Sequence, residues 1–462
     1  MWLLYLIGEG FCMSIKSIYS VLDERLEEII SKSKSQSVHD AIFESVDNTQ
    51  LATESLSKSS GFVRSSISLK KDVGGADVQS YQVKDIVRNK FGKHGPLMTS
   101  FGCHPDFNKM DDGEVRNGYS ITMFMDIIGS TKLGVVFPPE IVFRIKNDII
   151  RCAIETVNAF DGHVHRIMGD AVMAFFRSND RYKNNKIADS AIDAINCAVV
   201  LIEMFKGVVI PKLSDLGVDE NLGIRIGLDY GPHEEVVWSK YGYMESHEVT
   251  ATSFFVDVAA KLQQKAPKNS IMIGASFVEL LGLDDVQLKH KINRNNGVEH
   301  KELYLTPNYK DASGKPINYR QYVFDNERYC NLLPINDEGG KLIVKATLKK
   351  SENDVSDDEY ICCSRMIKKG MGISFKGYYY SQEQYSNPRF KFRVENTGPD
   401  AGNVDNKGNH ESYEVARYTG ERYFAKHWED CHYKGLHYMF VSFWNGDQLI
   451  ERERCFSVFI ND

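Results

Sequence analysis

The sequence predicts an α+β protein in two parts: a βαββαβ core, then a smaller β-rich, sandwich-like domain. Three observations carry this. Between Ser120 and Ile273, strand-like apolar runs alternate with stretches whose apolar residues recur at helical spacing. After Gly377 that spacing gives way to aromatic, β-rich runs punctuated by Gly and Asn. The chain is also long, at 462 residues, with 42% hydrophobic and 26% charged residues. That is ordinary globular usage and enough chain for a full core, which excludes a collagen-like, wholly disordered or polytopic membrane protein.

The elements follow in order. Ile18, Leu22, Leu26 and Ile29 make one face of an amphipathic helix. A polar, Ser- and Lys-rich stretch from about Ser31 to Gly95 reads as a loose lead-in. Ser120–Asp126 is a buried strand broken by Gly129-Ser130-Thr131, and Pro138-Pro139 opens a helix striped by Ile141, Ile145 and Ile149. His163–Ile167 and Ala171–Phe176 form a hairpin around Gly169-Asp170. Ala188–Phe205 is helical, Leu222–Leu228 a strand, Phe254–Gln264 a helix and Ser270–Ile273 a strand. The order is βαββαβ with additions, a ferredoxin-like core. A turn-rich stretch near Leu332–Gly340 closes it. The expected divisions are a lead-in over 1–116, a core domain over 117–330 and a β-rich domain over 338–462.

The net charge of −7 argues against a nucleic-acid partner, since such proteins carry a basic surplus. Nine scattered cysteines with no CxxC point to a reduced, cytoplasmic setting. The apolar run Met1–Ile7 is too short to span a bilayer and lacks a basic leader, so stable membrane insertion is not expected and Met13 reads as the true start.

Two aspartates stand out. Asp126 ends a buried strand, and Asp170 sits in the turn of the neighbouring hairpin, so the two carboxylates can converge. Paired carboxylates suit hard divalent cations, and backbone N–H groups at a Gly129-Ser130-Thr131 turn suit phosphate. Taken singly, each aspartate is as well explained as a cap or turn former. Together with their surroundings they resemble a family. Phe124-Met-Asp126-Ile127-Ile-Gly129-Ser130-Thr131 and Arg166-Ile-Met-Gly169-Asp170 resemble the two metal motifs of class III nucleotidyl cyclases. Arg225–Gly231 resembles a later strand of that family, and Phe255-Val-Asp257-Val-Ala-Ala-Lys261-Leu262 its catalytic helix.

The resemblance implies two divalent ions, Mn²⁺ or Mg²⁺, held by Asp126, Asp170 and the Ile127 carbonyl. It implies a nucleoside triphosphate substrate cyclised by its own 3′-hydroxyl. It also implies a homodimer whose sites are shared, with Asp257 and Lys261 serving as catalytic residues. Arg166 and Thr250 fall on the base-reading positions, and Gly129, Ser130 and Thr131 on the triphosphate. The departures matter: Arg166 stands where the family usually has Lys, Lys261 where it has Arg, and Asp257 where it has Asn. Two readings follow, an altered substrate or a decayed site that binds without turnover.

Phe392-Arg-Val-Glu-Asn-Thr-Gly398, Gly420 and Tyr438-Met-Phe-Val resemble the AGS-C-type C-terminal sensor of bacterial defence cyclases. The combination resembles the pyrimidine cyclases of bacterial Pycsar antiphage systems. It implies cyclic CMP or cyclic UMP made for a separate TIR-domain or membrane effector. An ordinary adenylate or guanylate cyclase and a non-catalytic nucleotide-sensing scaffold are the alternatives. His163 and His165 read as polar-face residues of a strand rather than a metal pair, and His427, Cys431 and His432 lack a fourth ligand for structural zinc.

Overall fold

The computed structural model describes residues 15–32, 83–94, 101–177, 186–214, 222–243, 246–295, 297–305, 309–336, 340–355 and 358–462. The Met1–Ile7 run, Met13 and most of the polar lead-in lie outside these residues. Helix α1 (15–32) buries the expected stripe of Ile18, Leu22, Leu26 and Ile29. The lead-in reading fails in one place. Helix α2 (Val83–Lys90) lies within it, with Val83, Val87 and Phe91 in the core. Of its charges Arg88 is enclosed and reaches Asp161 at 2.5 Å, and just past the helix Lys93 bridges Asp161 at 3.0 Å and Asp193 at 2.7 Å.

The core follows the predicted order: β1 (Ser120–Ile128), α3 (Pro139–Ala159), β2 (Gly162–Met168), β3 (Ala171–Phe176), α4 (Lys186–Met204) and β4 (Gly223–Gly231). A hairpin of β5 (Val237–Tyr243) and β6 (Ser246–Thr252) comes next, then α5 (Phe254–Lys265), β7 (Ser270–Gly274), β8 (Leu288–Lys289) and β9 (Gln321–Phe324). The main sheet runs β2-β3-β1-β4-β7-β9-β8, whose first four strands keep the ferredoxin-like order. In β1 the alternation of a pleated strand sorts the side chains. Ile121, Met123, Met125 and Ile127 enter the core against the helices, and Asp126 emerges on the other face, where α5 packs.

Past Gly340 the chain forms two five-stranded sheets. One, ordered β11-β10-β13-β17-β16, holds β10 (Leu342–Lys349), β11 (Asp358–Tyr360), β13 (Gly372–Tyr380), β16 (Arg417–Tyr418) and β17 (Arg422–Asp430). The other, ordered β12-β19-β18-β14-β15, holds β12 (Met366–Lys368), β14 (Pro388–Glu395), β15 (His410–Val415), β18 (Gly435–Asn445) and β19 (Gln448–Asn461). The aromatic runs are its filling: Phe375 and Tyr379 from one sheet meet Phe390, Phe392 and Phe443 from the other.

The core does not stop at the expected boundary. Cys363, Met366, Leu436, Tyr438 and Phe459 of the sandwich join the same cluster as α3 and α4. The stretch Ile187–Ser214 is long and apolar enough to cross a membrane, yet 78% of its most apolar window is buried inside the protein. Its polar residues are answered across the junction. Asn196 donates to the Cys363 carbonyl at 2.9 Å and accepts from the Tyr329 hydroxyl at 2.8 Å, while Asp189 accepts the Met366 N–H at 2.6 Å. Asn196→Ala leaves two buried polar groups unpaired and should lower unfolding free energy by about 2–4 kcal/mol. Denaturant titration of the full chain checks this, and an unchanged midpoint would remove Asn196 from the junction's account.

Candidate active site

Asp126 lies opposite Ala171 of β3 on one side and Arg225 of β4 on the other. Asp170 directly precedes Ala171, so the pairing register brings the two aspartates to one end of the sheet, as the sequence suggested. Gly169 has φ +67°, a left-handed turn that a side chain would strain, and it aims Asp170 back toward β1. Both carboxylates are engaged. Asp126 pairs with Arg225 at 2.6 Å and accepts from Gln263 at 3.2 Å, and Asp170 accepts from the Ser130 hydroxyl and faces Lys146 at 3.5 Å. They keep about a fifth to a quarter of their side-chain surface exposed, 21% and 24%. Two partly solvated carboxylates on adjacent strand ends, each already attracting cations and donors, fit a hard-cation site. Gly129 turns at φ 78°, and Ser130 and Thr131 follow in a single 3₁₀ turn over Ser130–Lys132, beside Asp170.

Helix α5 lies against β4 at a distance only glycine permits. A Cβ on Gly227 would sit 2.3 Å from both the Ala259 carbonyl oxygen and the Gln263 nitrogen. This approach lets Gln263 reach Asp126. At 100° per residue, Asp257 and Lys261 then fall on the face turned away from Gln263. Asp257 is exposed, and Lys261 stands 4.3 Å over the Tyr309 ring. Within one chain, α5 therefore does not join Asp257 and Lys261 to Asp126 and Asp170.

Arg166, on β2, forms an ion pair with Glu248 of β6, and Thr250 lies two residues along on the same strand face. Glu248 escaped the sequence reading, although its spacing from Thr250 was the available signal. His165 Nε2 lies 3.9 Å from the same carboxylate. His163 and His165 are not polar-face residues. Both are buried and share the Gly102 carbonyl at 2.9 and 2.8 Å, and a bulge between Val164 and Arg166 breaks the strand's alternation. Burial lowers the pKa of each, favouring neutral rings. Further along β4, Asp229 is wholly enclosed and accepts from Tyr319 and Ser276, each at 2.8 Å, and burial pushes its pKa up to about 7.

Residues 117–304 match the adenylate and guanylate cyclase catalytic domain. The chain is 39% identical to a cytidylate cyclase of Escherichia coli, over 97% of this chain and 100% of that one. The chain belongs to the class III nucleotidyl cyclases. It is also 35% identical to a cytidylate cyclase of Staphylococcus aureus, over 81% of this chain and 87% of the other. Among solved structures, the adenylyl cyclase CyaB from P. aeruginosa aligns at 17% identity and a TM-score of 0.35, over 46% of this chain and 95% of that one. Divalent ions are general to this cyclase family, and the carboxylate pair is the part of this chain suited to them. Gly227→Ala should push α5 off the sheet and cut cyclase kcat/KM by about tenfold or more, since angstrom-scale misplacement of catalytic groups costs up to roughly a hundredfold. The check is turnover measured beside a thermal melt. A folded Gly227→Ala enzyme with the wild-type rate would contradict the placement of α5.

Proposed function

We propose that this chain is a pyrimidine nucleotide cyclase that takes CTP in preference to UTP and makes 3′,5′-cyclic CMP and diphosphate. The observation that carries the reading is the full-length similarity to an E. coli cytidylate cyclase, which spans core and sandwich alike. The Arg166–Glu248 pair supports the choice of base. A guanidinium offers donors to the O2 and N3 acceptors of cytosine, and the adjacent carboxylate accepts from its exocyclic amine. Uracil would turn a carbonyl oxygen toward that carboxylate, and a purine would need the space the guanidinium fills.

Bound at Asp126, Asp170 and the Ile127 carbonyl, two divalent ions would lower the 3′-hydroxyl's pKa and offset charge on the triphosphate. The ribose 3′-hydroxyl gives up its proton to water, its oxygen attacks the α-phosphorus, and the bond from that phosphorus to the bridging oxygen breaks, releasing diphosphate. Ser130 and the turn around it hold the phosphates beside Asp170. The outward face of α5 supports a homodimer with shared sites, in which Asp257 and Lys261 of one protomer orient the ribose and transition state over the aspartates of the other. The cyclic nucleotide is read in the cytoplasm by a separate TIR-domain or membrane effector of an antiphage system. The C-terminal sandwich is the sensor that releases synthesis.

The test is incubation of the purified protein with each of the four ribonucleoside triphosphates and Mn²⁺, with products identified by mass. Cyclic CMP should dominate, exceeding cyclic UMP by about tenfold or more, since an unpaired buried polar group costs roughly 1–3 kcal/mol. Cyclic AMP or cyclic GMP as the main product would end this reading. Glu248→Gln should narrow the CTP-to-UTP ratio, and Arg166→Lys should erode the preference for pyrimidines more than it erodes turnover.

The shared site has its own check. Asp126→Asn and Lys261→Ala proteins should each be nearly inactive. Mixed, they should recover up to about a quarter of wild-type activity, because half of a random mixture is heterodimer with one complete site of two. Absence of rescue in a mixture shown to contain heterodimers would refute the sharing.

A further inference from the structure

We propose that the C-terminal sandwich carries a second, separate metal site for Zn²⁺ or a similar transition-metal ion, formed by His410 Nε2, His427 Nε2 and Glu429 Oε1. These three ligand atoms lie within 4.8 Å of one another. His427 and Glu429 are two residues apart on β17 and share a strand face. His410 comes from β15 of the other sheet, so the cluster bridges the two layers. Both imidazoles converge on one oxygen: Glu429 Oε1 is 2.8 Å from His410 Nε2 and 2.6 Å from His427 Nε2.

The outer contacts indicate what belongs between them. His410 Nδ1 faces the Gly408 carbonyl at 3.0 Å. His427 Nδ1 faces Glu414 at 3.2 Å and the Ser412 hydroxyl at 3.1 Å. With acceptors at Nδ1, each ring keeps a proton there; Nε2 donates to Glu429 while the ring is protonated and turns a lone pair to a cation once it is not. A transition-metal ion bound here would take the place of the Nε2 protons and be held by both rings and the carboxylate. Histidine metal ligands are oriented in this way, through the second nitrogen. His427 is fixed further by stacking on Phe392, with ring centroids 4.9 Å apart. Two imidazoles and one carboxylate, with the exposed side open to water, match the donor set of open zinc sites. Cys431 and His432 are not needed; the missing ligand is His410, seventeen residues before His427.

The site also has a place in the fold. Gly408 ends a segment that starts at Asn396, which donates to the Gly408 carbonyl at 3.1 Å. Within that segment the Gly398 N–H donates to Asp284 of the cyclase core at 3.1 Å. A bound ion would brace this docking segment from behind.

The test uses the full chain, stripped with a chelator, in an Asp126→Asn/Asp170→Asn background that removes the catalytic ligands. Titration with Zn²⁺ should show one equivalent bound per chain, and Co²⁺ should give the visible bands of a low-coordinate site. Adding His410→Gln, at an exposed position, or Glu429→Gln should weaken binding by more than about a hundredfold, beyond what outer-contact changes cost. In the same Asp126→Asn/Asp170→Asn background, Zn²⁺ should raise the melting temperature, and adding His410→Gln should abolish that rise. No bound equivalent, or an equivalent that survives both substitutions, overturns the site and leaves the trio a proton-sharing network.

Discussion

A helix buried on every side has no face to give to water, so each polar group on it must be answered by what packs around it. α4 is such a helix, and several of its answers come from outside the cyclase core. Asp189 and Asn196 reach backbone groups at Met366 and Cys363 of the sandwich, and Asp193 meets Lys93 beyond α2. Removing either neighbour would leave charges or amides unpaired in an apolar setting, at a cost of several kcal/mol. The sandwich and the N-terminal helices are therefore walls of the core rather than appendages. α4 in turn lies under β1 and β4, the strands that carry Asp126 and Arg225. Under the proposed function, a displacement of the sandwich relative to α4 would reach the strands carrying Asp126 and Arg225 through these packed side chains. That is the physical route by which a C-terminal sensor could govern synthesis.

The catalytic half of the fold was legible because its signals are local. β1 is an apolar run that ends in a carboxylate and a Gly-Ser-Thr turn, the hairpin is marked by Gly169-Asp170, and α3 by its opening prolines. Each of these elements lies where spacing placed it. What escaped was non-local or disguised by composition. α2 has Val83, Val87 and Phe91 at helical spacing, but its charged residues lent it the texture of a linker, and the partners that bury those charges are some 70 to 100 residues away. The β5–β6 hairpin buries Trp238, Val249 and Ala251 among polar residues and a tip of exposed ones, so few apolar positions mark it as strand in the sequence. Glu248 sat in that unread hairpin and was missed with it. His410 is remote from His427 in sequence and is brought near only by the packing of two sheets.

Asp126 and Asp170 occupy neighbouring strand ends, where two unmatched carboxylates would repel one another. Each is matched by a cation of its own chain, Arg225 for Asp126 and Lys146 for Asp170. Arg225 also donates to the Gln264 carbonyl at 3.1 Å, so it keeps a partner if Asp126 turns to another cation. Under the proposed chemistry, two divalent ions bring four positive charges and the nucleotide roughly four negative ones. The site then stays near neutral in both states, and neither form has to hold a large uncompensated charge at the edge of an apolar sheet. The matched pairs hold the carboxylates in place before substrate arrives, which is the preorganisation that electrostatic catalysis requires.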